Sequence, residues 1–145
     1  NHFLANQLTN NCKLQKGDIV FADAAEDSTV GKCTEITFIG EEKVVAGLHT
    51  IPCRTLFEFS EGYLGFYLNS PSYHNQLLPL MQGTKISSIS KSALLNTSIS
   101  FPSSIAEQRQ IASFFRSLDT QISLEAQRLE KLKQIKSACL DKMFV

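Results

Sequence analysis

From Ala106 to Met143 the chain contains neither glycine nor proline, and this unbroken stretch constrains its fold more than any other feature. Nothing there interrupts an α-helix, which at about 40 residues and 1.5 Å per residue would run roughly 60 Å. Ser104-Ile105-Ala106-Glu107 fits the S-x-x-E capping box, in which the serine hydroxyl accepts a free N–H of the first turn, so the helix is expected to begin there. Alternating steps of four and three place Ile111, Phe115, Leu118, Ile122, Glu125, Leu129, Leu132, Lys136, Cys139 and Met143 along a heptad seam, with eight of the ten apolar. Such a stripe is not stable in water. A helix this long outreaches any core that about 100 residues can build, so its distal part is expected to pack on a second helix from another chain or from a missing repeat. Phe115, Leu118, Ile122, Leu129, Leu132, Cys139 and Met143 are the expected partner-facing residues. Lys131, Lys133 and Lys142 would form the solvated face or meet a protein partner. A helix folded back on its own domain would instead need a kink near Ser117 to Thr120.

Upstream the pattern changes in kind. Gly17-Asp18 precedes Ile19-Val20-Phe21, a polar loop follows from Asp23 to Thr29, and Ile36 to Ile39 ends at Gly40; these short runs broken by turn residues read as strands. Val44 to Pro52 continues in the same style, with β-branched residues, an internal glycine and a closing proline. The spacing of Tyr63, Leu64, Phe66, Tyr67 and Leu68 predicts a helix of two or three turns stopping before Pro71, and Tyr73 to Met81 predicts another. Gly83-Thr84-Lys85 opens a serine-rich segment read as a loop, a strand or short turn, and a final strand into Phe101-Pro102. The expected class is α+β: a small mixed domain over residues 1–102 with a curled, mostly antiparallel sheet and short helices, then a spacer or dimerisation helix over 103–145.

Composition removes several function classes. The longest apolar runs, such as Gly62 to Leu68, fall far short of the roughly 20 residues a bilayer crossing requires. Neither a membrane segment nor a targeting signal is therefore expected, and a cytoplasmic protein is. The first residue is Asn1 rather than Met, which fits a fragment or a trimmed start. Cys12, Cys33, Cys53 and Cys139 form no CxxC pair and have no histidine at ligand spacing, so no metal is expected and reduced, buried thiols are the default reading. No glycine-rich loop of the GxGxxG or Walker type appears, and no nucleotide or other cofactor is expected. His2, His49 and His74 are dispersed and belong to no nucleophile motif, and the acidic groups Asp23, Glu26, Asp27 and Glu41-Glu42 look like solvated turns. No catalytic constellation emerges, and the chain is not expected to be an enzyme.

The net charge of zero argues against a protein that coats nucleic acid non-specifically, but its distribution is uneven. Residues 1–102 carry 7 basic and 9 acidic side chains, a net of −2, and residues 103–145 carry 7 and 5, a net of +2. Between Gly62 and Pro102 stand Lys85 and Lys91 and no acidic residue. An anion meets no repulsion from such a segment, and a charge-poor core segment has the same composition. The expected DNA-binding residues are Gly83, Thr84 and Lys85, where glycine admits a close phosphate and lysine supplies charge, with Ser87, Ser88 and Lys91 nearby. Arg54 and His49 follow.

Phe101-Pro102, Glu107-Gln108, Ile111-Ala112, Phe115, Leu118-Asp119, Ile122, Leu129, Leu132-Lys133, Lys136 and Leu140 to Phe144 occur in a characteristic order. Over residues 101–144 the chain resembles the end of a target-recognition domain and the spacer helix of type I restriction-modification specificity subunits. Lys16-Gly17-Asp18-Ile19-Val20 and Gly83-Thr84-Lys85 extend the resemblance more loosely. The family's usual subunit holds two recognition domains and two spacer helices, whereas this chain resembles half of one. The resemblance implies sequence-specific recognition of double-stranded DNA at one half of a split site, with the helix setting the distance to the other half. It implies as partners a modification (methyltransferase) subunit, a restriction subunit reached through the complex, and pairing with itself or another half through the long helix. The competing reading is a coiled-coil assembly or adaptor module that does not touch DNA; zero net charge favours it, and the acid-free stretch favours DNA recognition.

Overall fold

In the sequence Ile19-Val20-Phe21-Ala22 alternate residues are buried and half-buried, the period of a strand that has a core on one side. In the computed structural model, which describes residues 4–7 (backbone only), 13–25, 29–41, 43–83 and 86–144, these residues form β2 of a four-stranded antiparallel sheet. The strands are β1 (Leu4–Gln7), β2 (Ile19–Ala22), β4 (Cys33–Glu35) and β5 (Thr50–Thr55), in the order β1-β5-β2-β4. β2 lies between β4 and β5, with Val20 opposite both Thr34 and Pro52. A second, two-stranded antiparallel sheet pairs β3 (Ala24–Ala25) with β6 (Ser87–Ser88). Short helices follow the sheet: α1 (Tyr63–Leu68), α2 (Pro71–Leu77) with a 3-10 turn over Leu78–Leu80, and α3 (Lys91–Leu95). The expected α+β class with a mostly antiparallel sheet is present.

Ile19, Phe21, Ile51 and Cys53 of the sheet meet Tyr63, Leu64, Leu68, Tyr73, Leu77, Ile89 and Leu94 in the main core. A smaller cluster of Leu14 and Ala46, joined by Val20, Ile36 and Ile39, packs separately. Most polar groups inside are matched; among the described residues the side-chain oxygens Asp23 Oδ1 and Ser70 Oγ are buried without a hydrogen-bond partner. Asp18, 1% exposed, binds Arg54 through both oxygens at 2.7 and 2.8 Å, and its Oδ2 also accepts the Gln15 N–H at 2.7 Å. Glu35 accepts the N–H groups of Gly62 at 2.6 Å and Gly65 at 2.8 Å, which places a carboxylate on free donors at the start of α1. The Thr97 hydroxyl donates to the Leu94 carbonyl at 2.7 Å, so the Tyr73 hydroxyl, 2.8 Å away, is the donor to Thr97.

Three expectations are corrected. Residues 36–39 carry no strand, the sheet having ended at Glu35. Val45 makes only an isolated bridge to Lys13, and the strand expected from Val44 begins at Thr50 because a turn at 47–50, closed by the Thr50 hydroxyl on the Gly47 carbonyl at 2.6 Å, comes first. The final strand before Pro102 is absent. In its place Ser90 caps α3 by accepting the Ala93 N–H at 3.1 Å, a local option for serine that the apolar spacing of Leu94 and Leu95 did not reveal.

The chain divides into two compact units, Asn1–Ala112 and Ser113–Val145. The long helix α4 spans Ile105–Met143, 39 residues without a break, and starts as its cap predicts: the Ser104 hydroxyl accepts the Glu107 N–H at 3.3 Å. Its first two turns belong to the first unit, where Gln108 and Ala112 are buried. Gln108 is joined on both sides, accepting the Ser60 N–H at 3.0 Å and donating to the Pro102 carbonyl at 2.8 Å. In the second unit every described residue from Ser113 to Phe144 is exposed.

Candidate nucleic-acid interface

The segment Ala22–Ala25, where β2 passes into β3, is the point on which three turns converge. The turn at 29–32 is fastened by the Gly31 N–H to the Ala22 carbonyl at 2.9 Å and by the Ala22 N–H to the Lys32 carbonyl at 2.8 Å. The turn at 47–50 is reached by the Asp23 N–H, which donates to the His49 carbonyl at 3.3 Å. The third lies between Gln82 and Ser88, which exchange both backbone bonds at 2.8 and 2.9 Å, while β6 pairs with β3 and the Ile89 N–H donates to Asp23 at 2.8 Å.

Glycine makes two of these turns possible. Gly31 has a φ of 77°, and a Cβ there would press on Leu77; Gly83 has a φ of 113°, and a Cβ would collide with the Ile86 carbonyl. Both are backbone conformations that side-chain-bearing residues rarely adopt.

This arrangement brings some expected site residues together and separates others. Gly83, Ser87, Ser88 and His49 all gather around Ala22–Ala25. Thr84 and Lys85 lie outside the described residues. Arg54 sits at the opposite end of β5, about 13 Å along the strand from Thr50 at 3.3 Å per residue, where it is engaged with Asp18. Lys91 opens α3, half-buried, and its charge acts on the Cys53 thiol. His49 is exposed, with Nδ1 3.8 Å from Asp23 Oδ1. Along the long helix, Phe115, Leu118, Ile122, Leu129, Leu132, Cys139 and Met143 are all exposed.

Between the first two turns the sheet carries an open concavity of about 320 Å³, lined by Val20, Phe21, Ala22, Thr29, Lys32, Cys33, Thr34 and Thr50. The thiols near it are inert at neutral pH. Burial pushes Cys33 and Cys53 from an ordinary 9.0 up to about 12, so neither supplies a thiolate nucleophile there. Among the described residues no group of three or more His, Cys, Asp or Glu side chains could hold a metal ion. No helix among them is long and apolar enough to cross a membrane.

Comparison with known proteins decides the family: the type I restriction modification DNA specificity domain matches residues 4–134. The chain belongs to that family. The specificity domain also shares its fold with the type I restriction-modification S subunit from M. genitalium, known from a crystal structure, at a TM-score of 0.68 and 21% identity. That match covers 89% of the present chain and 33% of the S subunit, so the specificity domain spans about a third of its length. Among curated proteins none matches.

Within the specificity domain, the motif Glu107-Gln108 has a structural explanation. Gln108 ties the head of the helix to Ser60 and Pro102, and Ala112 completes the same contact in the core. Asp18 of the Lys16-Gly17-Asp18 motif likewise serves the fold, through Arg54. The polar side chains around the concavity, Thr29, Lys32, Thr34 and Thr50, are not among the residues expected from sequence, because they lie outside the acid-free stretch beyond Gly62. One signal was present: Thr29-Val30-Gly31-Lys32 places a cation directly after a turn glycine between two strand-like runs.

Proposed function

We propose that the globular unit reads one half of a split DNA site, and that the long helix pairs with a second copy or another half-subunit to set the distance to the other half. The observation that carries this reading is the match of a DNA specificity domain across both the sheet-based unit and most of the helix. The convergence of three turns on Ala22–Ala25 supports it, because turns held by a rigid strand can present side chains to base edges with little reorganisation. Base edges in the major groove carry the donor and acceptor code, and phosphate contacts set the register. Gly83, Thr84, Lys85, Ser87, Ser88, Lys91, Arg54 and His49 are proposed for these contacts, with Ser87, Ser88 and His49 favoured by their gathering around β3.

The chemistry belongs to partners. A modification subunit would dock on the specificity domain and act on an adenine turned out of the duplex, and a restriction subunit would join through the same complex. The chain itself is proposed to be non-catalytic, to need no cofactor, and to work in the cytoplasm, where the DNA is.

The test is adenine-methylation mapping of cells that co-express the chain with its cognate modification subunit. A new two-part methylated motif is expected, palindromic if two copies pair. A soluble, associated complex that methylates no new motif would overturn the reading and favour an assembly module without DNA contact, the alternative that the zero net charge favours.

A further inference from the structure

We infer that the concavity on the sheet between the turns at 29–32 and 47–50 is a seat for a DNA backbone phosphate, with Lys32 as its cation and the Thr34 hydroxyl as a second donor. The inference rests on the DNA-recognition reading above and adds a site outside the residues proposed there. Four observations support it.

The concavity is open and about 320 Å³, and among the described residues lining it there is one cation and no carboxylate. Two carboxylates of the surrounding sheet are engaged elsewhere, Asp18 by Arg54 and Glu35 by the N–H groups of Gly62 and Gly65, and Asp23 does not line the concavity. Lys32 and Thr34 are exposed on neighbouring positions of one rigid edge, since Thr34 is paired to Val20 in the sheet and the Lys32 carbonyl is bonded to Ala22. The floor beneath, Val20 and Ala22, is small and apolar, leaving the polar rim to meet a charged group.

The hydroxyls are not equivalent. The Thr50 proton is committed to the Gly47 carbonyl at 2.6 Å, so Thr50 offers only lone pairs and repels a phosphate oxygen. Its role is to close the turn. Thr34 has no such commitment and can donate. A phosphate, which accepts and never donates when ionised, is therefore matched by Lys32 and Thr34 and not by Thr50.

The experiment uses the full chain assembled with its modification subunit and two labelled duplexes, one carrying the motif found by methylation mapping and one scrambled, titrated from 50 to 200 mM salt. Lys32→Gln is expected to weaken both duplexes about three- to tenfold and to reduce the slope of log affinity against log salt by about 0.9, the signature of one lost phosphate contact. Lys32→Arg should retain affinity, Lys32→Glu should exceed the loss of Lys32→Gln, and Thr34→Val should weaken both duplexes with the salt slope nearly unchanged. Melting curves matched to the parent confirm that each variant is folded; Lys32 and Thr34 are exposed, so the core does not depend on them. A parent complex that binds while Lys32→Gln and Lys32→Glu keep its affinity and slope overturns the phosphate seat alone. A loss confined to the matched duplex overturns it in favour of base contact. A parent complex without salt-dependent binding overturns both the seat and the DNA-recognition reading.

Discussion

Arg54 shows how one side chain serves the fold before it serves a ligand. Its guanidinium meets both oxygens of Asp18, a carboxylate that is 1% exposed, so truncating the arginine leaves a charge buried without its partner. Breaking such pairs costs about 3–5 kcal/mol, and since the Arg54 side chain is about a third exposed, Arg54→Met is expected to destabilise the unit by about 2–4 kcal/mol. Chemical denaturation checks this: a midpoint equal to that of the parent would show that water replaces the arginine at little cost. The pairing of Arg54 with Asp18 was not legible in the sequence, because a charge carries no mark of its partner. Asp18 stands 36 positions away, and only the pairing of β2 with β5 brings the two together. The same holds in part for Lys32, whose surroundings add Val20 to Ala22 of β2 and Thr50 of β5 to its own sequence neighbours. Gln108 was legible as a motif but not as a joint, since the carbonyl of Pro102 and the N–H of Ser60 have no side-chain signature.

At the scale of elements, what could be read from sequence depended on the range of the forces. The long helix was legible almost to the residue, because its cap, its lack of breakers and its seam are all local properties, and it runs from Ile105 to Met143 as expected. α1 was also legible from the spacing of Tyr63 to Leu68 and the stop before Pro71, whereas the helix expected over Tyr73 to Met81 starts earlier, at Pro71, and gives way to a 3-10 turn over Leu78–Leu80. The strands were less so. Ile36 to Ile39 and Val44 to Leu48 have strand composition but only isolated backbone pairing, Ile36 with Gly17 and Asp18 and Val45 with Lys13, and a continuous partner, not the propensity, completes a strand. On α4 the exposed seam carries the element's own prediction. Leu129 and Leu132 are each more than half exposed, and burying such a stripe requires a second helix. The double variant Leu129→Glu, Leu132→Glu is expected to be monomeric in sedimentation at concentrations where the parent self-associates. A parent that is monomeric at high concentration would assign the seam to a different chain.

For the whole molecule, the boundary between units is instructive. The first compact unit runs to Ala112, because the first two turns of α4 supply the buried residues Gln108 and Ala112 to it. A chain ending at Ala112 is expected to melt cooperatively near the parent unit, and one ending at Ser104 to lose about 3–5 kcal/mol through the unpaired Ser60 N–H, the unpaired Pro102 carbonyl and the vacated core positions. Calorimetry of the two truncations decides it, and equal stability would mean that the helix head adds nothing to the domain.

The three turns that meet at Ala22–Ala25 are fastened by main-chain hydrogen bonds: Gly31 and Lys32 to Ala22, His49 to Asp23, and Ser87 and Ser88 to β3. Amide bonds are the same whichever side chains ride on them. Residues at the turn tips can therefore be exchanged with little penalty to folding, as tools are exchanged in a common handle. Natural selection, or a library built at positions 32, 34, 49, 87 and 88, could in this way change what the domain touches while leaving intact the strand that presents it.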